Sequence, residues 1–232
     1  MKQQKQAKAI LLSMILSLGL GAIANLQPLF AQNSSDKCSE AKVTKYIREV
    51  SQGSNEARGS LFQCKSKVVP ALITALKDPD PKVRSSAAAS LGWIGKDAKN
   101  AVPALVNALK DPNTDVRTST ALALGNIGKD AKNAVPALIT ALKDPDQKVR
   151  FWTALALGGI GKDAKDAVPD LITLLKDFDS GVRSSAASAL GSIGKDSKNA
   201  IPALLKALKD SNESVRSEAA NALKQIDSSI KF

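Results

Sequence analysis

The 232-residue sequence contains no histidine at all, which removes the commonest general base, proton shuttle and nitrogen ligand for metals. Aromatic residues make up only 3%, with two Trp and one Tyr, so a core of large rings is excluded. Two cysteines, Cys38 and Cys64, lie far from any other soft ligand, which excludes a structural zinc site of the usual four-ligand kind. No glycine-rich loop opens a helix, because the recurring Gly-Lys-Asp-Ala-Lys stretch follows one instead, and a phosphate cradle is therefore not expected. Beyond residue 31 there is no apolar run of the roughly 20 residues that a membrane span requires.

The chain is rich in Ala, Leu, Lys and Asp, with 44% hydrophobic residues, which is ample for a continuous core built of helices. Its first 31 residues stand apart. Lys2, Lys5 and Lys8 precede an uncharged, almost wholly apolar stretch from Ala9 to Ala24. This is the pattern of a secretory signal, with cleavage after Ala24 or Ala31; the alternative is an uncleaved anchor. Ser35-Asp36-Lys37 before Cys38 is not the context of lipid attachment. The chain is thus expected to be exported, to a periplasm or the exterior, with no stable membrane span after cleavage. In such an oxidising compartment Cys38 and Cys64 are expected to form one disulfide, the alternative being two free thiols. Formal charge is +11, of which the three signal lysines carry three, leaving +8 for the remainder. A basic surface favours acidic partners without selecting among them.

Overlaying the chain on itself at 33 residues brings Val69-Pro70, Val102-Pro103, Val135-Pro136, Val168-Pro169 and Ile201-Pro202 into register. Leu91, Leu124, Leu157, Leu190 and Leu223 share that period, as do Ile94, Ile127, Ile160, Ile193 and Ile226. A period of this length predicts an all-α solenoid of stacked helix pairs, each too small to bury its own apolar face. In the second unit the first helix is expected to start near Asn100 as N-cap, with Pro103 in its first turn and Val102, Leu105, Val106 and Leu109 on its apolar side. Asp111-Pro112 stops it. Asn113 begins the second helix, with Asp80, Asp146, Asp179 and Asn212 as capping residues at the matching places; it buries Val116, Thr120, Leu124 and Ile127 and ends at Gly128 as a left-handed C′ residue.

Gly92, Gly125, Gly158 and Gly191 lie inside the second helices, where each costs roughly 1 kcal/mol relative to Ala. With Ser90, Ala123, Ala156, Ala189 and Ala222 they predict close stacking of neighbouring units. Lys224 and Asp227 replace the two glycines of the last unit and make that end polar. Residues 36–66 are expected to form a degenerate first unit, with helices over about Glu40 to Val50 and Asn55 to Cys64, tied by the cysteines.

The motif from Ala101-Val102-Pro103-Ala104-Leu105 through Asp111-Pro112 and Asp115-Val116-Arg117 to Ala121-Leu122-Ala123-Leu124-Gly125-Asn126-Ile127-Gly128 resembles the HEAT repeat, in the HEAT-like variety of phycobilisome lyases. The resemblance covers residues 67–227, is specific for fold and weakly specific for function. It implies a right-handed superhelix with first helices on the convex side and second helices lining the concave one. The domain expectation is a signal over 1–31, a capping unit over 32–66, five HEAT-like repeats over 67–227 and a tail over 228–232.

Five pairs of Asp and Arg recur with their members six apart: Asp78 and Arg84, Asp111 and Arg117, Asp144 and Arg150, Asp177 and Arg183, Asp210 and Arg216. Similar proteins use this pair to hold the stack, so a structural role is expected in preference to a basic binding ladder. HEAT-like iron-dependent deoxyhypusine hydroxylases use His-Glu pairs, which this chain lacks. Bilin attachment, as in the lyases, would require an exported chain to meet cytoplasmic phycobiliproteins. No catalytic residue, cofactor or metal site is expected.

Residues at and near 82, 85, 86, 89 and 93 fall on the side of the second helix opposite Val83, Ala87, Leu91 and Ile94, hence towards the groove. Most units place small or polar residues there, and the first three depart with Trp93, Leu122, Phe151, Trp152 and Leu155. These five are the candidate partner-binding residues, because aromatic side chains in a groove anchor interfaces; local packing is the alternative. Lys82 and Lys148, with Lys96, Lys129 and Lys162, form a candidate basic rim diluted by Asp97, Asp130 and Asp163. Phe178 replaces a turn proline as a second candidate contact. The expected function is a non-catalytic scaffold that binds another protein, against an anion-binding or nucleic-acid-binding solenoid such as the HEAT-like DNA glycosylases.

Overall fold

The computed structural model describes residues 38–230, and the signal and its two candidate cleavage sites lie outside them. Twelve helices run in pairs: α1 Glu40–Ser51, α2 Asn55–Cys64, α3 Val69–Ala75, α4 Pro81–Ile94, α5 Val102–Ala108, α6 Thr114–Ile127, α7 Val135–Ala141, α8 Gln147–Ile160, α9 Val168–Leu174, α10 Ser180–Ile193, α11 Ile201–Ala207 and α12 Glu213–Ile226. The result is an all-α solenoid, with no strand among the described residues.

From α3 onward each first helix is only seven residues long and is entered through a 3-10 segment, Gly95–Ala101 before α5. Asn100 is therefore not the N-cap expected of it: it lies exposed within that segment, and no side chain caps α5. The reason is local. The Val102 N–H already donates to the Lys99 carbonyl, and Pro103 has no N–H to satisfy.

The second helices are capped as the sequence indicated. Side chains of Asp80, Asn113, Asp146, Asp179 and Asn212 each accept a backbone N–H from the first turn, which answers donors that the helix itself leaves free. Gly128 ends α6 with φ 73° and ψ −139°. The positive φ fits a glycine, but the residue is not in the left-handed helical region; it occupies the mirror image of extended backbone, which only glycine enters readily. This turn sends the chain directly into the next 3-10 segment. In the last unit Asp227 is extended, with φ −151°, and no such segment follows among the described residues.

The core is a file of aliphatic side chains. Leu72, Leu105, Leu138, Leu171 and Leu204 from the first helices, and Leu91, Leu124, Leu157, Leu190 and Leu223 from the second, are wholly buried. Full burial of one such side chain contributes about 1.5–3 kcal/mol. Second helices of successive units pack on one another along their length. The interior glycines make this possible: a Cβ on Gly92 or Gly125 would stand 2.9 Å from the Cα of Ala123 or Ala156, and one on Gly158 3.2 Å from that of Ala189. Backbone meets backbone at these points, and each loss in helix propensity is offset by closer packing.

At the N-terminal end α1 packs on α3 and α4, burying Val43, Ile47 and Val50. Cys38 and Cys64 are joined in a disulfide with Cα atoms 5.7 Å apart, closing a loop of 26 residues around this capping unit. Among the described residues no helix is long and apolar enough to cross a membrane.

Candidate functional site

A groove face follows from the helix pairs. In α4 the side of Val83, Ala87 and Leu91 is buried, whereas Lys82 and Trp93 are exposed and Ser85, Ser86 and Ala89 half-buried. In α8 the same face carries exposed Lys148, then Phe151, Trp152 and Leu155, all half-buried. Residues three and four apart share one side of a helix, so Leu155 lies a turn beyond the two rings, and Leu122 holds the equivalent place on α6. Phe151 and Trp152 meet edge to face, with centroids 5.2 Å apart and planes at 88°. Both also rest partly on the core, and the Phe151 ring runs alongside the start of α10, where Gly181 leaves it room.

Trp93 belongs to a separate spot. It is 42% exposed and stacks on Arg58, whose guanidinium carbon lies 4.9 Å from the ring centroid. Arg58, Leu61 and Phe62 of α2 share a shallow notch with Trp93, and Phe62 is itself 62% exposed. The two tryptophans thus occupy different parts of the groove side: one at the junction of cap and first repeat, the other with Phe151 in the third repeat. Sequence reasoning missed Arg58 and Phe62, since α2 has no repeat partner against which an irregular residue would show. It also missed the pairing of Ser85 Oγ with Ser119 Oγ at 2.9 Å, which joins the neighbouring helices α4 and α6. Beside that bridge Ser51, Pro81, Lys82, Ser86, Asn113 and Asp115 line an open hollow of about 290 Å³.

Lys96, Lys129 and Lys162 are exposed, as are Asp97, Asp130 and Asp163 beside them, so the rim alternates in sign. Phe178 is fully exposed at the turn before α10, while its carbonyl accepts from Arg183 Nη1 at 3.1 Å.

The Asp and Arg series forms a chain of contacts down the opposite end of these helices. Arg84 Nη1 donates to the Asp78 carbonyl, so residues six apart meet through the backbone and not through the carboxylate. The carboxylate partner is 27 residues on: Arg84 Nε and Nη2 donate to Asp111 at 2.7 and 2.9 Å. Arg117 holds Asp144, Arg150 holds Asp177 and Arg183 holds Asp210 in the same bidentate way. Side chains in these pairs are only 10–17% exposed, which spares them the screening that weakens surface pairs. The bond to Asp111 raises the Arg84 pKa against the effect of burial, and the same bond holds the Asp111 carboxyl below its ordinary value. Asp210 is lowered likewise by Arg183; for Asp177 burial pulls upward but is outweighed by Arg150 and the Asp179 N–H. Both charges of each pair are consumed by the stack.

The sequence model of a family described as HEAT repeats matches residues 56–124, 102–191 and 168–231. Among curated proteins none matches. Among solved structures, an engineered protein is 28% identical over 80% of this chain and 96% of its own, with a TM-score of 0.61. The complex of CpcE and CpcF of phycocyanin lyase from Nostoc sp. is 31% identical over 69% of this chain and 65% of that one, with a TM-score of 0.62. A designed armadillo repeat protein in complex with the peptide (KR)4 has a TM-score of 0.64 at 20% identity, covering 93% of this chain and 98% of its own, a likeness of fold.

Proposed function

The chain belongs to the HEAT-repeat family, and from that premise we propose that it is a non-catalytic scaffold of the cell envelope or exterior that binds another protein through its groove face. The observation that carries this reading is the cluster of Phe151, Trp152 and Leu155 with Leu122. Other repeats place Ser85, Ser86, Ser184 or Ser217 where the rings stand, so the stack itself does not require them. Half-buried rings fixed by a packed helix lose little entropy on binding, which is why such residues anchor interfaces. Trp93 and Phe62, over Arg58, offer a second apolar contact on the same side. Solved structures of the same architecture include a complex between two proteins, in keeping with this use.

Net charge and the exposed lysines favour a second reading, an anion-binding or nucleic-acid-binding solenoid. Against it stand the aspartates that alternate with the rim lysines. A relation to bilin lyases is the third reading, for which no residue here is assigned. Export by the N-terminal signal belongs to the proposal, and sequencing the mature N-terminus tests it.

The deciding experiment compares retention of envelope proteins by the wild-type chain and by Trp152→Ala. Loss of an interface anchor worth about 2 kcal/mol lowers affinity by roughly 30-fold, while the melting temperature stays within a few degrees. A large fall in melting temperature with the same retention would assign Trp152 to packing. Binding that declines steeply with added salt, in proportion to phosphates neutralised, would favour the anionic ligand.

A further inference from the structure

Four of the five repeat arginines end on a carboxylate, and the fifth is held in the same pose without one among the described residues. Arg216 Nη1 donates to the carbonyls of Asp210 and Ser211 at 2.8 and 2.9 Å, as Arg183 Nη1 does to those of Asp177 and Phe178. In Arg84, Arg117, Arg150 and Arg183 that anchoring aims the Nε and Nη2 edge at an aspartate of the next unit. Among the described residues no carboxylate meets the corresponding edge of Arg216. A guanidinium already fixed by two carbonyls loses little further freedom when a planar carboxylate docks on it, and its fork matches that geometry.

The surface beside it is uncovered too. Leu205 is 41% exposed, whereas Val106, Ile139 and Ile172 at the same place are partly buried against the core. Leu208 is half-buried where Leu76, Leu109, Leu142 and Leu175 are buried. After α12 the chain turns at Asp227 and Ile230 packs back on the core. Lys224 stands where the interior units have the glycine of close approach, which keeps a further second helix from stacking there.

We infer that this edge, around Arg216 with Leu205 and Leu208, is a second binding site, and that it takes an aspartate side chain from a partner protein. The ligand is defined by the four interior forks, each of which holds an aspartate whose Oδ1 also accepts the N–H two residues on, as Asp111 does from Asn113. The partner is a different protein: the matching edge of this chain, on the first repeat, is taken by the capping unit, whose α1 packs on α3 and α4 where the last unit of a second copy would have to stack. This site is independent of the groove and stands or falls separately from it.

The test follows the arginine Nε–H resonances of the 15N-labelled chain during titration with N-acetyl-aspartate methylamide. The Arg216 resonance moves saturably in the millimolar range, while those of Arg84, Arg117, Arg150 and Arg183, already occupied, stay in place. The asparagine analogue leaves all five unmoved, and Arg216→Gln removes the responding signal. A silent Arg216 overturns the site. Equal or larger movement with the asparagine analogue or with inorganic phosphate overturns its assignment to aspartate. Movement with protein concentration alone identifies the occupant as a second copy and overturns the assignment to a different partner.

Discussion

Arg117 grips the carboxylate of Asp144 with Nε and Nη2 at 2.7 and 3.0 Å, while its third nitrogen is held by the carbonyls of Asp111 and Pro112 in its own unit. One side chain thus joins the turn before its helix to the turn of the following unit. Asp144→Asn keeps the size but removes the charge, and is expected to cost about 2 kcal/mol through weakened charge-assisted bonds. Arg216→Gln, which breaks no ion pair among the described residues, is expected to cost about 1 kcal/mol or less. Urea unfolding midpoints of the two variants check the order.

Acid should loosen these joints. The carboxyls of Asp111, Asp177 and Asp210 titrate below the ordinary 3.8 in the folded chain. Because the folded pKa is the lower one, the stabilisation is fully present above the unfolded value and is lost as pH falls through the folded one. Unfolding midpoints are therefore expected to be level near neutrality and to drop below about pH 4. Asp111→Asn should start lower and give a shallower drop.

The interior glycines give a prediction opposite in sign to helix propensity. Alanine favours a helix over glycine by about 1 kcal/mol, yet a Cβ at Gly125 meets the Ala156 backbone at 2.9 Å. Gly125→Ala is expected to lower the melting temperature. Gly158→Ala, with 3.2 Å to Ala189, is expected to lower it less. Calorimetry of the two variants tests the ranking.

Reduction of the Cys38–Cys64 bridge removes a constraint worth about 3 kcal/mol on the loop-entropy account, and only the capping unit feels it directly. Since Arg58 of that unit stacks on Trp93, reduction is expected to change Trp93 fluorescence. In a Trp152→Phe background Trp93 is the single tryptophan reporter. An unchanged spectrum after complete reduction would show that the cap holds without its bridge.

Much of this architecture was legible because each unit repeats the same solution. The capping residues Asp80 and Asn113 and the small-residue column from Gly92 to Ala222 could be read by comparing one unit with the next. The start of α5 was misplaced because Asn100 has the chemistry of a cap, while the 3-10 lead-in is decided by how the chain leaves Gly95. The link from Arg84 to Asp111 was hidden for another reason. A spacing of six was visible, but the bond spans 27 residues and depends on which way the guanidinium turns. At the candidate site, the departures Phe151 and Trp152 stood out against serines. Arg58 and Phe62 did not, as the capping unit offers no repeat for comparison.

The glycine column also fixes a unit of length. Helices that touch backbone to backbone lie near the short end of the usual 8–10 Å between axes, so the groove is graduated in steps of about 8 Å. An extended segment advances about 3.3 Å per residue, and one laid along the groove would encounter a fresh helix every two to three residues. The spacing of anchor side chains in a partner is thereby prescribed by atoms that never touch it.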